Sequence, residues 1–188
     1  KTILEILDAS GNVIRTIAGT KEEPKKKPSG PRGNIAIKHS SKIPVKQGVN
    51  RFTWNFRTDT LVKVPDVFIL GADYRGHRVA PGTYTARLKY GDQVSETNFV
   101  IKDPPGLDIP EEAWDKQQKL MTTIEMQIND MHNSINNTID LRNRLQTISK
   151  QLEGQEEFAD VKAQADSLDQ KLKEWQEVVI EFRMKGFQ

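Results

Sequence analysis

Apolar and polar residues alternate along residues 51–57, where Phe52, Trp54 and Phe56 take one side and Arg51, Thr53, Asn55 and Arg57 the other. That period of two is the mark of a strand with one buried face. The same pattern returns after Pro81-Gly82, with Tyr84, Ala86, Leu88 and Tyr90 against Thr83, Thr85, Arg87 and Lys89, and continues beyond Gly91-Asp92 in residues 93–101. A glycine after proline supplies the positive φ of a tight turn, so the second region reads as a hairpin. Earlier, residues 2–7 and 13–17 are β-branched or apolar runs separated by Asp8-Ala-Ser-Gly-Asn12, which predicts another hairpin. Short edge strands are expected at residues 34–38 and 43–46. Residues 58–79 carry Val62, Val64, Val67, Phe68, Ile69 and Leu70 without one clear period, and are expected to fold back over the sheet.

Past Pro110 the period lengthens to about three and a half. Phe158, Val161, Ala165, Leu168, Leu172, Trp175, Val179 and Phe182 fall at alternating steps of three and four, the seam of a coiled coil. Met121, Ile124, Ile128, Met131, Ile135, Leu145, Ile148 and Leu152 supply a partner helix in similar rhythm. Strict continuation beyond Ile135 puts Thr138 and Arg142 on that seam, where Ile139 and Leu141 are the apolar residues, so local over- or underwinding is expected. Gly154 stands where a left-handed cap is wanted, and the short connection favours an antiparallel hairpin. The predicted architecture is α+β in two segregated domains. An all-β, immunoglobulin-like sandwich over residues 1–105 is followed by an antiparallel two-helix coiled-coil hairpin over 106–188, with helices at about 110–153 and 156–185.

Charge divides the 188 residues at the same place. Residues 1–103 hold 18 Lys and Arg with 10 Asp and Glu, whereas residues 104–188 hold 10 and 16, so halves of +8 and −6 make the net +2. Having no cysteine, the chain has neither disulfides nor thiolate metal sites nor a cysteine nucleophile. No apolar run reaches the roughly 20 residues that span a bilayer. The first residues, Lys1-Thr-Ile-Leu-Glu5, lack the apolar core of a signal peptide, and a start without methionine inside a strand is expected of a mature form with its leader removed or, the favoured reading, of a fragment of a longer protein.

Residues that could carry chemistry are scattered. His39, His77 and His132 have none of the spacings that gather metal ligands on one face, and read as surface histidines. Glu22-Glu23, Glu111-Glu112 and Glu156-Glu157 are adjacent pairs, and the last two suit the electrostatics of a helix start better than an acid and nucleophile facing across a cleft. Met121, Met126 and Met131 read as gap-fillers, and Trp54 as core. The glycosylation sequon Asn136-Asn137-Thr138 falls in mid-helix. Lys25, Lys26 and Lys27, in a proline- and glycine-rich loop, are the residues best suited to a polyanion, yet no interleaved aromatics or nucleic-acid module accompany them. With Trp175 and Phe182 on the second helix, they are the candidate interaction residues. No catalytic, cofactor or metal residues are assigned, and no cofactor is expected.

Four phrases in order, Asp8-Ala-Ser-Gly-Asn-Val-Ile-Arg-Thr-Ile17, Gly48-Val-Asn-Arg-Phe-Thr-Trp-Asn-Phe-Arg57, Arg78-Val-Ala-Pro-Gly-Thr-Tyr-Thr-Ala-Arg-Leu88 and Phe99-Val-Ile-Lys-Asp-Pro104, resemble the C-terminal region of large bacterial sortilin-like proteins. Those proteins carry BNR (Asp-box) repeat β-propellers and are often labelled glycosyl hydrolase-like. The first and third phrases also resemble the immunoglobulin-like domain of flagellar hook-capping proteins. The resemblance implies a β-sandwich and helical tail following a propeller, in a protein exported to the periplasm or cell surface or secreted. The Asp-box pattern Ser-x-Asp-x-Gly-x-x-Trp is absent, so any propeller and its activity lie upstream of Lys1 and no catalytic residue carries over. The expected role is that of a non-catalytic accessory or interaction module. Its partners would be the upstream propeller and, through the helical hairpin, a second copy; nucleic acid is not expected. The rival readings are a carbohydrate-binding module using Trp54 or Tyr74, and a glycoside hydrolase with its site in residues 58–79.

Overall fold

The computed structural model describes residues 1–21, 42–65, 67, 74–106 and 109–180. The chain is α+β and forms two compact units, Lys1–Thr60 with Arg75–Thr122, and Leu61–Tyr74 with Thr123–Gln188. The expected short strand at 34–38, the Lys25–Lys27 loop, His39, and the expected end of the second helix with Phe182 lie outside the described residues.

The first unit contains a five-stranded mixed sheet of order β3-β2-β1-β4-β5. Strands β1 (Thr2–Leu7) and β2 (Val13–Thr20) pair antiparallel, as do β4 (Gly82–Tyr90) and β5 (Gln93–Ile101), and β1 and β4 join the hairpins. Two residues, Ile43–Pro44, form β3, parallel to β2. The first hairpin turns because the Asp8 carboxylate accepts from the backbone N–H groups of Ser10 (2.9 Å) and Asn12 (2.8 Å) and from the Asn12 amide, while Gly11 takes φ 83°. An Asx-type turn of this kind satisfies donors that a two-strand ladder leaves over.

Pairing in register sorts the two faces of the sheet. Ile17, Leu4 and Leu88 line up across one face, as do Ile6 with Ala86 and Tyr84 with Phe99. Trp54 lies edge-on to Tyr84 and Phe99, at 6.3 and 6.2 Å between centroids. Ile6, Ile17 and Tyr84 are buried, each large side chain contributing roughly 1.5–3 kcal/mol. The other face carries an ion ladder in which Glu5 pairs with Lys89 (2.6 Å) and Arg87, and Arg87 with Glu96. Lys89, foremost, and Arg87 hold the Glu5 carboxyl below its ordinary value against the upward push of burial.

The expected strand at 51–57 does not form. Phe56 adopts φ 55°, the left-handed region that a bulky residue avoids, which breaks the alternation. The Trp54 indole N–H turns back to the Arg57 carbonyl (2.9 Å), leaving Trp54 half-buried and Phe56 exposed. Instead of a strand, residues 56–58 make a short irregular ribbon with 77–79: Thr58 N–H donates to His77 O, and Val79 N–H to Phe56 O. Gly76 is required there, since a Cβ at that position would sit 2.3 Å from the Asp59 carbonyl oxygen.

Helix α1 (Glu111–Gln151) is a single unbroken element, and α2 (Ala159–Val179) follows a 3₁₀ turn at Glu156–Phe158. Gly154 takes φ 78°, the conformation its place in the sequence predicts. Within the second unit, side-chain bonds climb α2 as they descend α1: the Asp166 carboxylate bonds Ser149, Asp169 bonds Gln146 and Arg142, and Gln176 bonds Arg142. Ile135 is wholly buried.

Candidate functional site

The inward stripe of α1 keeps Met121, Ile128, Ile135, Leu145 and Leu152 of the expected seam and admits polar side chains among them. Trp114, Gln118, Met121, Glu125, Ile128, His132, Ile135, Ile139, Arg142, Leu145, Ser149 and Leu152 form the shielded stripe, at steps of three or four, with Asn129, Asn136 and Thr138 beside it. Ile124, Met131, Leu141 and Ile148 are exposed instead. A reading that counts only apolar residues misses Gln118, Glu125, His132 and Arg142, which share the stripe with them. No over- or underwinding is needed past Ile135, since Arg142 itself faces inward.

In the second unit three polar side chains of α1 at spacings of three and four hold one irregular segment. The Asn129 side-chain carbonyl accepts the Val62 N–H (2.8 Å), and the Asn136 amide donates to Lys63 O (2.9 Å). Between them His132 Nδ1 lies 2.6 Å from Val62 O; as a carbonyl only accepts, this nitrogen carries the proton. The imidazole is 4 % exposed and lies against the Tyr74 ring at 5.8 Å, and Lys63 Nζ stands 5.7 Å from the centre of that ring. Residues 61–64 are thus fastened to α1 and residues 58–59 to β2, while Phe68, Ile69 and Leu70 of the expected fold-back lie outside the described residues. Irregular backbone has to find partners for its N–H and C=O groups, and here helix side chains provide them.

A related arrangement occurs in the first unit. Gln118 Oε1 lies 3.0 Å from His77 Nε2, and Gln118 Nε2 donates to Arg78 O at 3.1 Å. Trp114 Nε1 donates to Asp103 Oδ1 (3.1 Å). Both described histidines are buried, which corrects their reading as surface residues. Each has one ring nitrogen committed, to an amide or to a backbone carbonyl, which orients the ring.

Between the helices of the second unit, Arg142 Nε donates to Asp169 Oδ1 (2.8 Å) and its Nη1 to Gln176 Oε1 (2.7 Å), while Gln146 donates to Asp169 Oδ2 (3.1 Å). Burial pushes the Asp169 carboxyl up, but the Arg142 guanidinium and the Gln146 amide outweigh it and hold the group below its ordinary value. Gln176 is buried. Its neighbours on α2 that face inward are Lys162, Ala165, Asp169, Leu172 and Val179. Of the expected seam, Phe158, Val161, Leu168 and Trp175 are turned out, with Trp175 at 42 % exposure.

The outward apolar residues form one surface. In helical register Leu141 and Ile148 sit just to one side of the shielded stripe of α1, and Val161, Leu168, Trp175 and Val178 sit to the corresponding side of α2's. Because the helices meet in opposite order, these two sides fall on the same face of the pair. The bonds that link the helices put Ile148 level with Leu168 and Leu141 level with Trp175. Met131 and Ile124 extend the stripe along α1. The loop segment 61–64 meets the other side of α1, through Asn129, His132 and Asn136, and among the described residues this face is exposed.

Two shallow cavities are present among the described residues. One, about 450 Å³, lies at the end of the sheet beside Lys1, Gly19, Lys21, Val45 and Tyr90; the other, about 410 Å³, lies on α1 along Asn143, Arg144, Thr147 and Ile148. No group of three His, Asp or Glu side chains able to hold a metal occurs among the described residues. No described helix is long and apolar enough to cross a membrane. No known family model, curated protein or solved structure matches the chain.

Proposed function

We propose that the chain is a non-catalytic accessory module that serves protein–protein contacts within a larger exported β-propeller protein. The observation that carries this reading is the inversion on the helices: groups able to do chemistry are turned in and spent on holding backbone or one another, while Leu168, Trp175, Val161, Leu141 and Ile148 are turned out. Soluble surfaces rarely leave such a row of large apolar side chains open unless something covers it.

In this reading the sheet is half of an immunoglobulin-like sandwich. Two features support it. The Tyr84 hydroxyl, near the start of β4, donates to the Ala80 carbonyl four residues upstream (2.8 Å), the geometry of a tyrosine corner, and a tryptophan packs into the aromatic core against that tyrosine. In the same reading the two helices of the second unit form the antiparallel coiled-coil hairpin.

The test uses the intact chain. An apolar dye such as ANS should bind and be released by Trp175→Glu or Leu168→Asp, with far-UV circular dichroism unchanged. Turnover of glycosides or esters by this chain, or glycan-array binding lost on changing Trp54 or Tyr74, would favour the hydrolase or carbohydrate-binding reading instead.

A further inference from the structure

Building on that reading, we infer that the partner covering the open face of the helices is a second copy of this chain, joined about a twofold axis into a four-helix layer pair. The face is suited to itself. Leu141 and Trp175 make one level of apolar side chains across the pair, and Ile148 and Leu168 make another. A twofold copy laid on this face sets apolar level on apolar level, whichever of the two in-plane axes is used, and neighbouring helices remain antiparallel. An isologous contact requires this property of one patch, that it complement itself.

The size of the face also fits. A fully buried aliphatic side chain removes about 60–120 Å² of apolar area at the usual 25 cal/mol per Å². Met131, Leu141, Ile148, Val161, Leu168 and Val178 are each about half exposed or more, and Trp175 adds about two-fifths of a ring system of roughly 200 Å². Together they offer about 350 Å² of apolar surface per copy. A stable interface buries roughly 800 Å² per partner, of which about 450 Å² is apolar, so the stripe supplies most of the apolar core such a contact needs. The rim would be polar, from Gln127, Asp130, Arg144, Gln164 and Glu174 beside the stripe.

The absence of native cysteine makes a direct trap available. With the axis along the helices Leu168 lies opposite Ile148 of the copy, and with the axis across them opposite Trp175, so Leu168→Cys mixed with Ile148→Cys or with Trp175→Cys should form an intermolecular disulfide under mild oxidation, while Leu168→Cys mixed with Lys173→Cys, a cysteine at the far side of the helix, should not. Sedimentation equilibrium of the unmodified chain should show a concentration-dependent monomer–dimer equilibrium. Leu168→Asp or Trp175→Glu should weaken it about 100-fold, since the charge is set against apolar side chains of the copy and loses its water. Unchanged circular dichroism at 222 nm shows that the variants fold.

A chain that is monomeric at all concentrations, or a dimer that ignores both substitutions, overturns self-association. If such a monomer still binds ANS through Trp175, the interaction-module reading survives and the partner is another protein. If it does not bind ANS either, both readings fail.

Discussion

Arg142 offers the sharpest test of the polar seam. Replacing it with methionine keeps the length and apolar stem but removes the guanidinium, which holds Asp169 at 2.8 Å and Gln176 at 2.7 Å. Both side chains of the ion pair are about four-fifths shielded. A hydrogen bond to a charged group contributes about 1.5–3 kcal/mol, and a buried acceptor left unpaired costs about 1–3 kcal/mol. Asp169 keeps the Gln146 amide and some solvent, which reduces its part of the loss. Arg142→Met should therefore destabilise the helical unit by about 2–4 kcal/mol. The seam does not need the charge as such: the triple replacement Arg142→Met, Asp169→Leu, Gln176→Leu fills the same space with apolar groups and should fall within about 1 kcal/mol of the original chain or above it. Urea unfolding followed at 222 nm gives both numbers, and a double-mutant cycle between Arg142 and Asp169 isolates their coupling. A cost below about 0.5 kcal/mol for Arg142→Met, or a triple variant as unstable as the single one, would refute the reasoning.

Other expectations follow from single sites. Gly76→Ala puts a methyl group 2.1 Å from Thr58 Oγ1 and 2.3 Å from Asp59 O, one of them backbone, and should lower thermal stability by about 2 kcal/mol or more in a differential scanning experiment. Asp8→Ala removes the acceptor of three bonds in the β1–β2 turn and should cost about 1–2 kcal/mol, with faster amide exchange at Ser10 and Asn12. Glu5 and Asp169 have folded-state pKa values below their ordinary 4.5 and 3.8, so their contribution is present at neutral pH and is lost as pH falls below about 4 through the folded values. Stability measured by urea midpoint from pH 6 to pH 2 should drop in that window, and Glu5→Gln should flatten part of the drop.

The sheet was legible because its signal is local. The alternation in β4 and β5, the apolar runs of β1 and β2, and the glycines at 11, 91 and 154 each depend on neighbours in sequence, and the structure puts strands, turns and the left-handed cap there. Residues 51–57 carry the same alternation yet form no strand. What decides that segment is Trp54 binding its own chain and Phe56 turning left-handed, neither of which alternation records. The helices were legible in extent and only partly in facing: Met121, Ile128, Ile135, Leu145, Leu152, Ala165, Leu172 and Val179 are shielded as expected, while Ile124, Met131, Ile148, Val161, Leu168 and Trp175 are exposed. Arg142, His132 and Gln118 hold seam places for reasons that lie far off in sequence: Asp169 and Gln176, the Val62 carbonyl, and His77. One signal could have revealed them. Gln118, Glu125, His132 and Ile139 recur every seven residues beside Trp114, Met121, Ile128, Ile135 and Arg142, a heptad that appears only when polar residues are admitted to it. Of the candidate interaction residues only Trp175 falls among the described residues, and it is turned outward.

The central claim is that the helices turn their polar seam in and their apolar stripe out, and hydroxyl-radical footprinting read by mass spectrometry at low protein concentration measures this residue by residue. Met131, Leu168 and Trp175 should be oxidised rapidly and His132 and Met121 slowly. The reverse order, with Met131 and Trp175 protected in a dilute monomer and His132 oxidised, would contradict the account.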